Sequence, residues 1–291
     1  MDIKAINSGQ FVKYVHYFFS IAIFLSINIL SSLYPQSHSI MSYNIRYDNK
    51  SDLENNWISR RDNIIDIMVK YQPSIIGIQE GLINQVHYID SCLSNYDYVG
   101  VGRDDGKSKG EYCAIYYDRN HLVLLKNSTF WLSKTPYKVS VGWDAALERI
   151  CTYALLKDIN TQNEFYVFNT HYDHVGKKAR ERSSSLILEK IFEINSKNLP
   201  VVLMGDFNSN PDSLEIKIIK EYFSDGLNIS KNSLIGPTGT FNGFDLEGPI
   251  ERRIDYIFTK GIDILSYMHI DQKINNNRHI SDHLPVMIKM R

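Results

Sequence analysis

The stretch PVVLMGDFNSNP, residues 200–211, carries the main fold signal of this 291-residue chain. Its first half is a short, continuous apolar run, which is typical of a strand buried on both faces of a sheet. Its second half is dense in Asp, Asn, Ser and Pro, which form turns, so the strand is predicted to end near Gly205. Taken alone, the polar half is explained more readily as a turn than as a functional site.

The same arrangement, an apolar strand with reactive polar residues at its end, recurs along the chain. Glu80 ends SIIGIQE, His171 follows EFYVFNT, and the pair Asp282 and His283 precedes LPVMI. Two further polar residues lie inside strand-like segments, Asn44 in SIMSYNIRY and Asp255 in RIDYIF. So many strand ends rich in Asp, Asn, Glu and His are hard to explain as turns. Because a strand end holds a side chain rigidly, we expect them to line one crevice.

The hydrophobic periodicity predicts many strands, with helices grouped between them. Helices are expected at 57–71, 82–93, 177–196 and 213–223, and strands at 39–47, 74–79, 96–102, 112–117, 122–131, 150–157, 164–170, 200–205, 254–259, 265–270 and 283–290. This order favours an α+β fold in which two sheets pack face to face with helices outside. Strict alternation of strand and helix is missing, which argues against a simple Rossmann fold. No linker or repeat divides residues 37–291, so we expect a single domain there.

Residues 1–36 have the pattern of a targeting segment. Lys4 and Lys13 precede an uncharged apolar run, FFSIAIFLSINIL, from Phe18 to Leu30. A short apolar run behind a positive leader predicts a signal peptide, because a membrane span needs about 20 apolar residues. We therefore expect an exported protein, secreted or periplasmic. An uncleaved membrane anchor and a buried N-terminal helix are the alternatives.

Charge and cysteine content narrow the function further. The formal net charge is −1, which argues modestly against a protein that grips long nucleic acid, since such proteins usually present a basic face. The three cysteines have no metal-ligand spacing. Cys113 and Cys151 lie in strand-like segments, and the sequence does not decide whether they pair.

Six strings carry a family resemblance: SYNIRYD, IIGIQE, NTHYDH, GDFNSNP, RIDYIF and SDHLPV. From about residue 38 to the C-terminus they follow the order found in the endonuclease/exonuclease/phosphatase superfamily, which the chain resembles. WDAALER at 143–149 looks like a bacterial branch of undefined substrate. The resemblance implies a DNase I-like, four-layer α/β/β/α sandwich of two mixed sheets, with the site at one edge.

The resemblance also implies roles for the strand-end residues. A hard divalent cation, Mg²⁺ with Mn²⁺ as a substitute, is expected on Asn44, Glu80 and Asp282. Asp206 is expected to activate the attacking water, and Asn208 and His171 to donate to the phosphate. His283, fixed by Asp255, is expected to bond the scissile phosphate.

Three residues are predicted to contact substrate with less support: Arg149, Asp173 and His174. Asp173 and His174 could instead cap the loop before the helix at 177. Trp143 is a further aromatic that either contacts substrate or packs a loop. The basic residues of the 177–182 run are better explained as a solvated helix face.

Three functions are consistent with this pattern. The first, and the favoured one, is a metal-dependent phosphodiesterase or nuclease. The second is a phosphomonoesterase acting on a sugar, inositol or nucleotide phosphate. The third, a non-catalytic binding protein on the same fold, predicts a broken site and is the least favoured.

The expected partner is a phosphoester substrate, either a small molecule or nucleic acid. No protein partner is implied, and membrane contact is expected only through an uncleaved N-terminal segment.

Overall fold

Two six-stranded β-sheets stack face to face in the computed structural model, which describes residues 37–274 and 277–291. The first sheet has the order β11-β12-β1-β2-β4-β3 and contains β1 (His38–Asn44), β2 (Ile75–Gln79), β3 (Tyr96–Val99), β4 (Ile115–Asp118), β11 (Ile264–His269) and β12 (Val286–Met290). The second has the order β5-β6-β7-β8-β10-β9 and contains β5 (Leu122–Trp131), β6 (Ile150–Asp158), β7 (Glu164–His171), β8 (Val201–Asp206), β9 (Ser224–Asp225) and β10 (Asp255–Lys260).

Helices cover the outer face of each sheet. The described helices are α1 (Trp57–Tyr71), α2 (Ile83–Cys92), α3 (Lys177–Ile194), α4 (Leu214–Lys220) and α5 (Gly226–Ile229), with a 3₁₀ segment at Lys50–Asn55. Buried residues of α1 and α2 cluster with one face of the first sheet, and those of α3 and α4 with one face of the second. A third cluster fills the space between the sheets. The predicted four-layer α/β/β/α sandwich is therefore confirmed.

Strand alternation explains these layers. Met41 and Tyr43 of β1 pack against the helices, whereas Ile40 faces the second sheet, because successive side chains of a strand point to opposite faces. Asn44 follows the inward series at the end of β1 and is fully buried. The same alternation of side chains that packs Ile40 between the sheets thus also places the polar side chain of Asn44 there.

Each sheet has one parallel pair near its centre, and these pairs position the site. In the β1–β2 pair Asn44 lies opposite Gln79, and in the β7–β8 pair His171 lies opposite Asp206. Because parallel strands end at the same edge, each pair delivers its polar residues to one place. Strand β10 is antiparallel to β8 and places Asp255 beside Asp206.

A buried amide pair links the two sheets just behind this edge. Gln79 Nε2 donates to Asn169 Oδ1 at 2.7 Å, and Asn169 Nδ2 donates to the carbonyls of Ile78 and Ala114. All three bonds cross between sheets. They satisfy polar groups that the core would otherwise leave unpaired.

Several boundaries differ from the sequence-based prediction. Strand β4 begins at Ile115 rather than residue 112, because Tyr112 forms isolated bridges to Gly81 and Gly102. The last strand begins at Val286 rather than residue 283, just after Pro285, which lacks a backbone N–H. The short elements Lys50–Asn55, β9 and α5 were not predicted.

The predicted targeting segment, residues 1–36, lies outside the described residues. Among the residues that are described, no helix combines the length and the apolar character needed to cross a membrane.

Candidate active site

The backbone turns sharply just after two of the strands that supply the site. Glu80 follows β2 with φ 64°, and Asn208 follows β8 with φ 47°. Asn tolerates this left-handed conformation, whereas a Glu with positive φ is uncommon and costs about 1–3 kcal/mol. The carboxylate of Glu80 then accepts hydrogen bonds from Tyr47 N and Asn44 Nδ2, both at 3.1 Å. These contacts hold Glu80 at the mouth of the site.

Asp206 lies at the centre of the polar cluster and is buried. Its Oδ2 lies 3.0 Å from Asn44 Nδ2, 3.4 Å from His171 Nε2 and 3.7 Å from His283 Nε2. Its Oδ1 accepts from the backbone N–H of Asn208 at 2.8 Å. Burial raises the pKa of Asp206 to about 7, with Asp255 adding to the shift and His283 opposing it. This carboxylate can therefore accept a proton near neutral pH.

His283 and Asp255 form a buried dyad beside Asp206. His283 Nδ1 lies 2.9 Å from Asp255 Oδ2, which also accepts from Thr240 Oγ1 at 2.6 Å. Burial alone lowers the pKa of an imidazole, but the carboxylates of Asp255 and Asp206 outweigh it and raise the pKa of His283 to about 10. His283 is therefore a cation at neutral pH, with Nε2 directed toward Asp206.

His171 has the opposite electrostatic character. Burial, together with the charges of Arg149 and Arg103, lowers its pKa well below the usual range, so the ring is neutral. Asn208 Nδ2 donates to Tyr172 O and lies 3.1 Å from His171 Nε2. The same Nε2 lies 3.4 Å from Asp206 Oδ2. The predicted donation from His171 to the phosphate stays a prediction.

The donor set fits a hard divalent cation in part. One ligand atom from each of Glu80, His171 and Asp206 lies within 4.8 Å of the others, and Asp206 joins a second such group with Asp255 and His283. Two carboxylates with protein amides and water around them suit Mg²⁺ or Mn²⁺.

The two other predicted metal ligands are arranged differently. Asn44 was expected to offer its amide oxygen, yet Oδ1 accepts from Arg46 N at 3.0 Å and Nδ2 faces the carboxylates. Adjacent carboxylates need a donor between them, which explains the orientation. Asp282 belongs to neither ligand group, and its Oδ2 lies 3.7 Å from Arg46 NH1. Burial raises the pKa of Asp282.

Asp173 supports the loop before α3. Its carboxylate accepts hydrogen bonds from three backbone N–H groups, those of Ala146, Val175 and Gly176. Arg149 donates Nε to Asp173 at 3.3 Å and places NH2 2.9 Å from His174 Nδ1. The capping alternative thus describes what Asp173 does here. The predicted substrate contacts of Arg149, Asp173 and His174 stay predictions.

Glu111 and Arg103 belong to the site but were missed by the sequence analysis. Arg103 binds the Glu111 carboxylate through both terminal nitrogens, at 2.7 and 2.8 Å. Glu111 Oε2 then lies 3.7 Å from His171 Nδ1. A second histidine–carboxylate pair, looser than His283–Asp255, therefore borders the site. Neither residue ends an apolar strand, so the pattern that revealed the others was absent.

Two remaining predictions concern residues away from the cluster. Cys113 and Cys151 are buried free thiols, so no bridge joins them. Trp143 is half-buried with φ 50°, in a segment held by the Ala146 N–H bond to Asp173.

Known proteins resemble this chain over nearly its whole length. The sequence matches the endonuclease/exonuclease/phosphatase family over residues 41–283. A family member from Bacteroides thetaiotaomicron is 36% identical with a TM-score of 0.84, covering 88% of this chain and 98% of that one. A mannosyl-6-phosphatase of the same bacterium is 36% identical with a TM-score of 0.83, covering 87% and 99%. An uncharacterized protein of Acanthamoeba polyphaga mimivirus is 26% identical over 284 residues, covering 91% of this chain and 98% of that one.

Proposed function

Because the chain belongs to the endonuclease/exonuclease/phosphatase family, whose members hydrolyse phosphoester bonds, we propose that it is a Mg²⁺-dependent phosphomonoesterase acting on a sugar phosphate. The observation that carries the hydrolytic role is the buried Asp206 carboxylate between neutral His171 and cationic His283. The sugar phosphate follows from the 36% identity to a mannosyl-6-phosphatase over almost the entire chain. The near-neutral net charge also suits a small substrate better than a polynucleotide.

Asp206 acts as the general base in this proposal. Its pKa of about 7 lets it take the proton of an attacking water while about half of it is ionised in neutral solution. The bonds from Asn44 Nδ2 and Asn208 N fix the orientation of both carboxylate oxygens. The fixed Oδ2 therefore sets the direction from which a water bound to it attacks the phosphorus.

His283 stabilises the charge that develops on the phosphoryl oxygens. Its Nε2 carries a proton that it can donate, since Asp255 holds Nδ1 and keeps the ring charged. A donor fixed before the reaction stabilises the transition state without reorganisation, and removing one such donor typically costs about 2.7–4 kcal/mol of barrier. Neutral His171 and Asn208 supply further polar groups on the other side of Asp206.

Glu80 is the carboxylate that we propose holds the cation, with Asn44 beside it, and Asp206 stays free to act as the base. When bound, Mg²⁺ supplies positive charge to the phosphate oxygens and the leaving group. Oxygen donors of this kind suit Mg²⁺, with Mn²⁺ as a substitute.

The phosphodiester substrate favoured by the sequence analysis is the alternative that an activity panel separates. Wild-type protein is assayed with Mg²⁺ on hexose 6-phosphates, p-nitrophenyl phosphate, bis-p-nitrophenyl phosphate, RNA and plasmid DNA. We expect phosphate release from the monoesters and little turnover of the diesters. Diester cleavage without monoester cleavage overturns the monoesterase proposal but leaves the hydrolytic site intact.

A loss of about 10²- to 10⁴-fold in turnover in Asp206→Asn, with full activity in Asp212→Asn, assigns the reaction to this site. Asp212 is an exposed acid a few residues further along the same turn, so it is a matched control for the loss of one charge.

We also propose export through residues 1–36, because the charged leader and short apolar run fit a signal peptide. N-terminal sequencing of protein secreted by the native host tests this. Mature protein that begins before Phe18 contradicts a cleaved signal.

A further inference from the structure

Arg60 is a fully buried cation near the start of α1. Its guanidinium donates to four backbone carbonyls, those of Asn55 at 2.6 Å, Ile45 and Ile280 at 2.9 Å, and Arg46 at 3.2 Å. These are all of its hydrogen bonds to the described residues, and none goes to a carboxylate. A buried charge is costly unless it is paired. Arg60 offers in return what an apolar residue under the helix lacks, a rigid planar set of donors.

One nitrogen of Arg60 connects two segments that are far apart in the sequence. NH1 donates both to Ile45 O, in the segment that follows β1, and to Ile280 O, in the segment that precedes β12. Ser281 Oγ adds a second link between the same segments, since it donates to Asn44 O at 2.8 Å. The ladder of paired residues between β1 and β12 ends before it reaches these positions. The side-chain bonds therefore fix the relative position of the two segments there.

The segment after β1 binds Arg60 through its carbonyls and the site through its N–H groups. Arg46 N donates to Asn44 Oδ1 at 3.0 Å, and Tyr47 N donates to Glu80 Oε2 at 3.1 Å. Arg46 has φ 56°, a left-handed conformation that residues other than glycine adopt uncommonly, and its carbonyl is the one held by Arg60 NH2. Arg60 thus holds a turn whose amides orient Asn44 and Glu80.

We propose that Arg60 and Ser281 are positioning residues that fix the segment orienting Glu80 and Asn44 against the segment that carries His283. They act through the backbone and through Asn44, so that the cation and the histidine donor reach one phosphate together. This inference rests on the proposed hydrolytic function and deepens it. Groups that orient metal ligands from outside typically change metal affinity or activity by about 10- to 100-fold when they are altered.

Arg60→Lys tests the fixed donors, because an ammonium keeps the charge but does not reproduce the fork of a guanidinium. Mn²⁺ binding is measured from the electron paramagnetic resonance signal of the free ion, and kcat and KM are measured on p-nitrophenyl phosphate at saturating Mg²⁺. We expect Mn²⁺ binding to weaken by about 10- to 100-fold and kcat to fall by a similar factor, with little change in KM. Mn²⁺ affinity and kcat within about twofold of wild type in folded Arg60→Lys overturn the proposal.

Two controls on α1 separate positioning from stability. Arg61→Lys is the same change at the next residue, whose side chain contacts Asp62 and Tyr88, and it should leave Mn²⁺ binding and kcat unchanged. Met68→Ala opens a cavity at a buried position further along the helix, so it should lower the melting temperature without weakening Mn²⁺ binding. Equal weakening of Mn²⁺ binding in Met68→Ala and Arg60→Lys indicates a general loosening of the helix and overturns the positioning role.

Ser281→Ala gives the second measurement, which decides the question even if Arg60→Lys does not fold. It removes the link to Asn44 O and leaves a side chain of similar size. We expect Mn²⁺ binding to weaken by about tenfold, and an unchanged affinity overturns the proposal. Wild-type protein that releases no phosphate from any monoester overturns the proposed function instead, while the Mn²⁺ affinities still decide the positioning role.

Discussion

Asp255 Oδ2 lies 2.9 Å from His283 Nδ1, while Asp255 Oδ1 is buried and has no hydrogen-bond partner among the described residues. One oxygen of the carboxylate therefore contacts both the histidine and the hydroxyl of Thr240, and the other oxygen makes no hydrogen bond. The Asp255 carboxylate raises the pKa of His283 and keeps its ring protonated. The proposed function uses this dyad as a fixed N–H donor at the phosphate.

Asp255→Asn should lower kcat by about 10²- to 10⁴-fold, because the amide neither keeps the ring charged nor enforces its tautomer. KM should change much less, since the ring still occupies its place. Steady-state kinetics on a sugar phosphate measures both parameters.

Thr240→Val is the matched control for this change. It removes the second hydrogen bond to Asp255 Oδ2, together with the acceptor of the Ile254 and Asp255 backbone N–H groups, but keeps the Asp255 carboxylate and His283. We expect a much smaller loss of kcat than in Asp255→Asn. Equal losses in the two variants indicate a packing role for Asp255 rather than control of His283.

The pH profile of kcat/KM should be bell-shaped. Asp206 must be ionised to accept a proton, so activity rises as pH increases through its pKa, which is about 7 without metal. A bound cation favours the carboxylate and moves this limb below pH 7. His283 must be protonated, so activity falls near pH 10. A flat profile between pH 5.5 and pH 10 contradicts these assignments.

Metal removal should abolish the reaction and lower thermal stability together. Chelation of wild-type protein is expected to stop phosphate release, and Mg²⁺ or Mn²⁺ to restore it. Because a ligand that binds only the folded state stabilises it, excess Mg²⁺ should raise the melting temperature. Glu80→Gln should need more Mg²⁺ for both effects. Unchanged Mg²⁺ dependence in that variant places the cation elsewhere.

The inter-sheet amide pair should contribute measurably to stability. Asn169→Ala removes three buried hydrogen bonds, one from Gln79 Nε2 and one to each of the carbonyls of Ile78 and Ala114. Gln79 Nε2 keeps its bonds to Ser42 Oγ and Gly77 O, so the expected loss is the net value of the three bonds, about 2 kcal/mol or more in urea unfolding. Asn163→Ala, at an exposed position in the β6–β7 turn, is the control. Equal unfolding free energies in the two variants contradict the bridge.

Asp158 gives a pH-dependent contribution to stability far from the metal site. Burial raises its pKa, but bonds from Thr161 N and His38 outweigh this and lower the pKa overall. The contribution is therefore present above the unfolded pKa of about 3.9 and is lost as pH falls through the folded pKa. Asp158→Asn should lower stability at pH 7 and flatten its decline between pH 5 and pH 2. An unchanged decline shows that other acids control it.

The sequence revealed those polar site residues that lie at the ends of apolar strands. Glu80, His171 and Asp206 each follow an apolar run that is recognisable without a structure, and parallel pairing brings these ends to one edge. The two-sheet architecture was predictable as well, because buried strands and amphipathic helices differ in the period of their hydrophobic residues. The four-layer arrangement came from the family resemblance, which rests on the order of the six motifs along the chain.

Glu111 and Asp173 show why the rest was not predictable. Glu111 lies in a turn-rich stretch whose path depends on tertiary contacts such as the pairing of Tyr112 with Gly81. Asp173 follows His171 by two residues, but only the loop geometry shows that its oxygens bind backbone N–H groups. The orientation of Asn44 also depends on Arg46 N, which sequence spacing does not fix.

The central claim is that Asp206 activates water for hydrolysis of a sugar phosphate. The most direct measurement is Mg²⁺-dependent phosphate release from hexose 6-phosphates by wild-type protein and Asp206→Asn, with folding of both checked by thermal unfolding. The account predicts turnover by the wild type and a loss of about 10²- to 10⁴-fold in the variant. A folded variant that keeps more than about a tenth of the wild-type rate contradicts it.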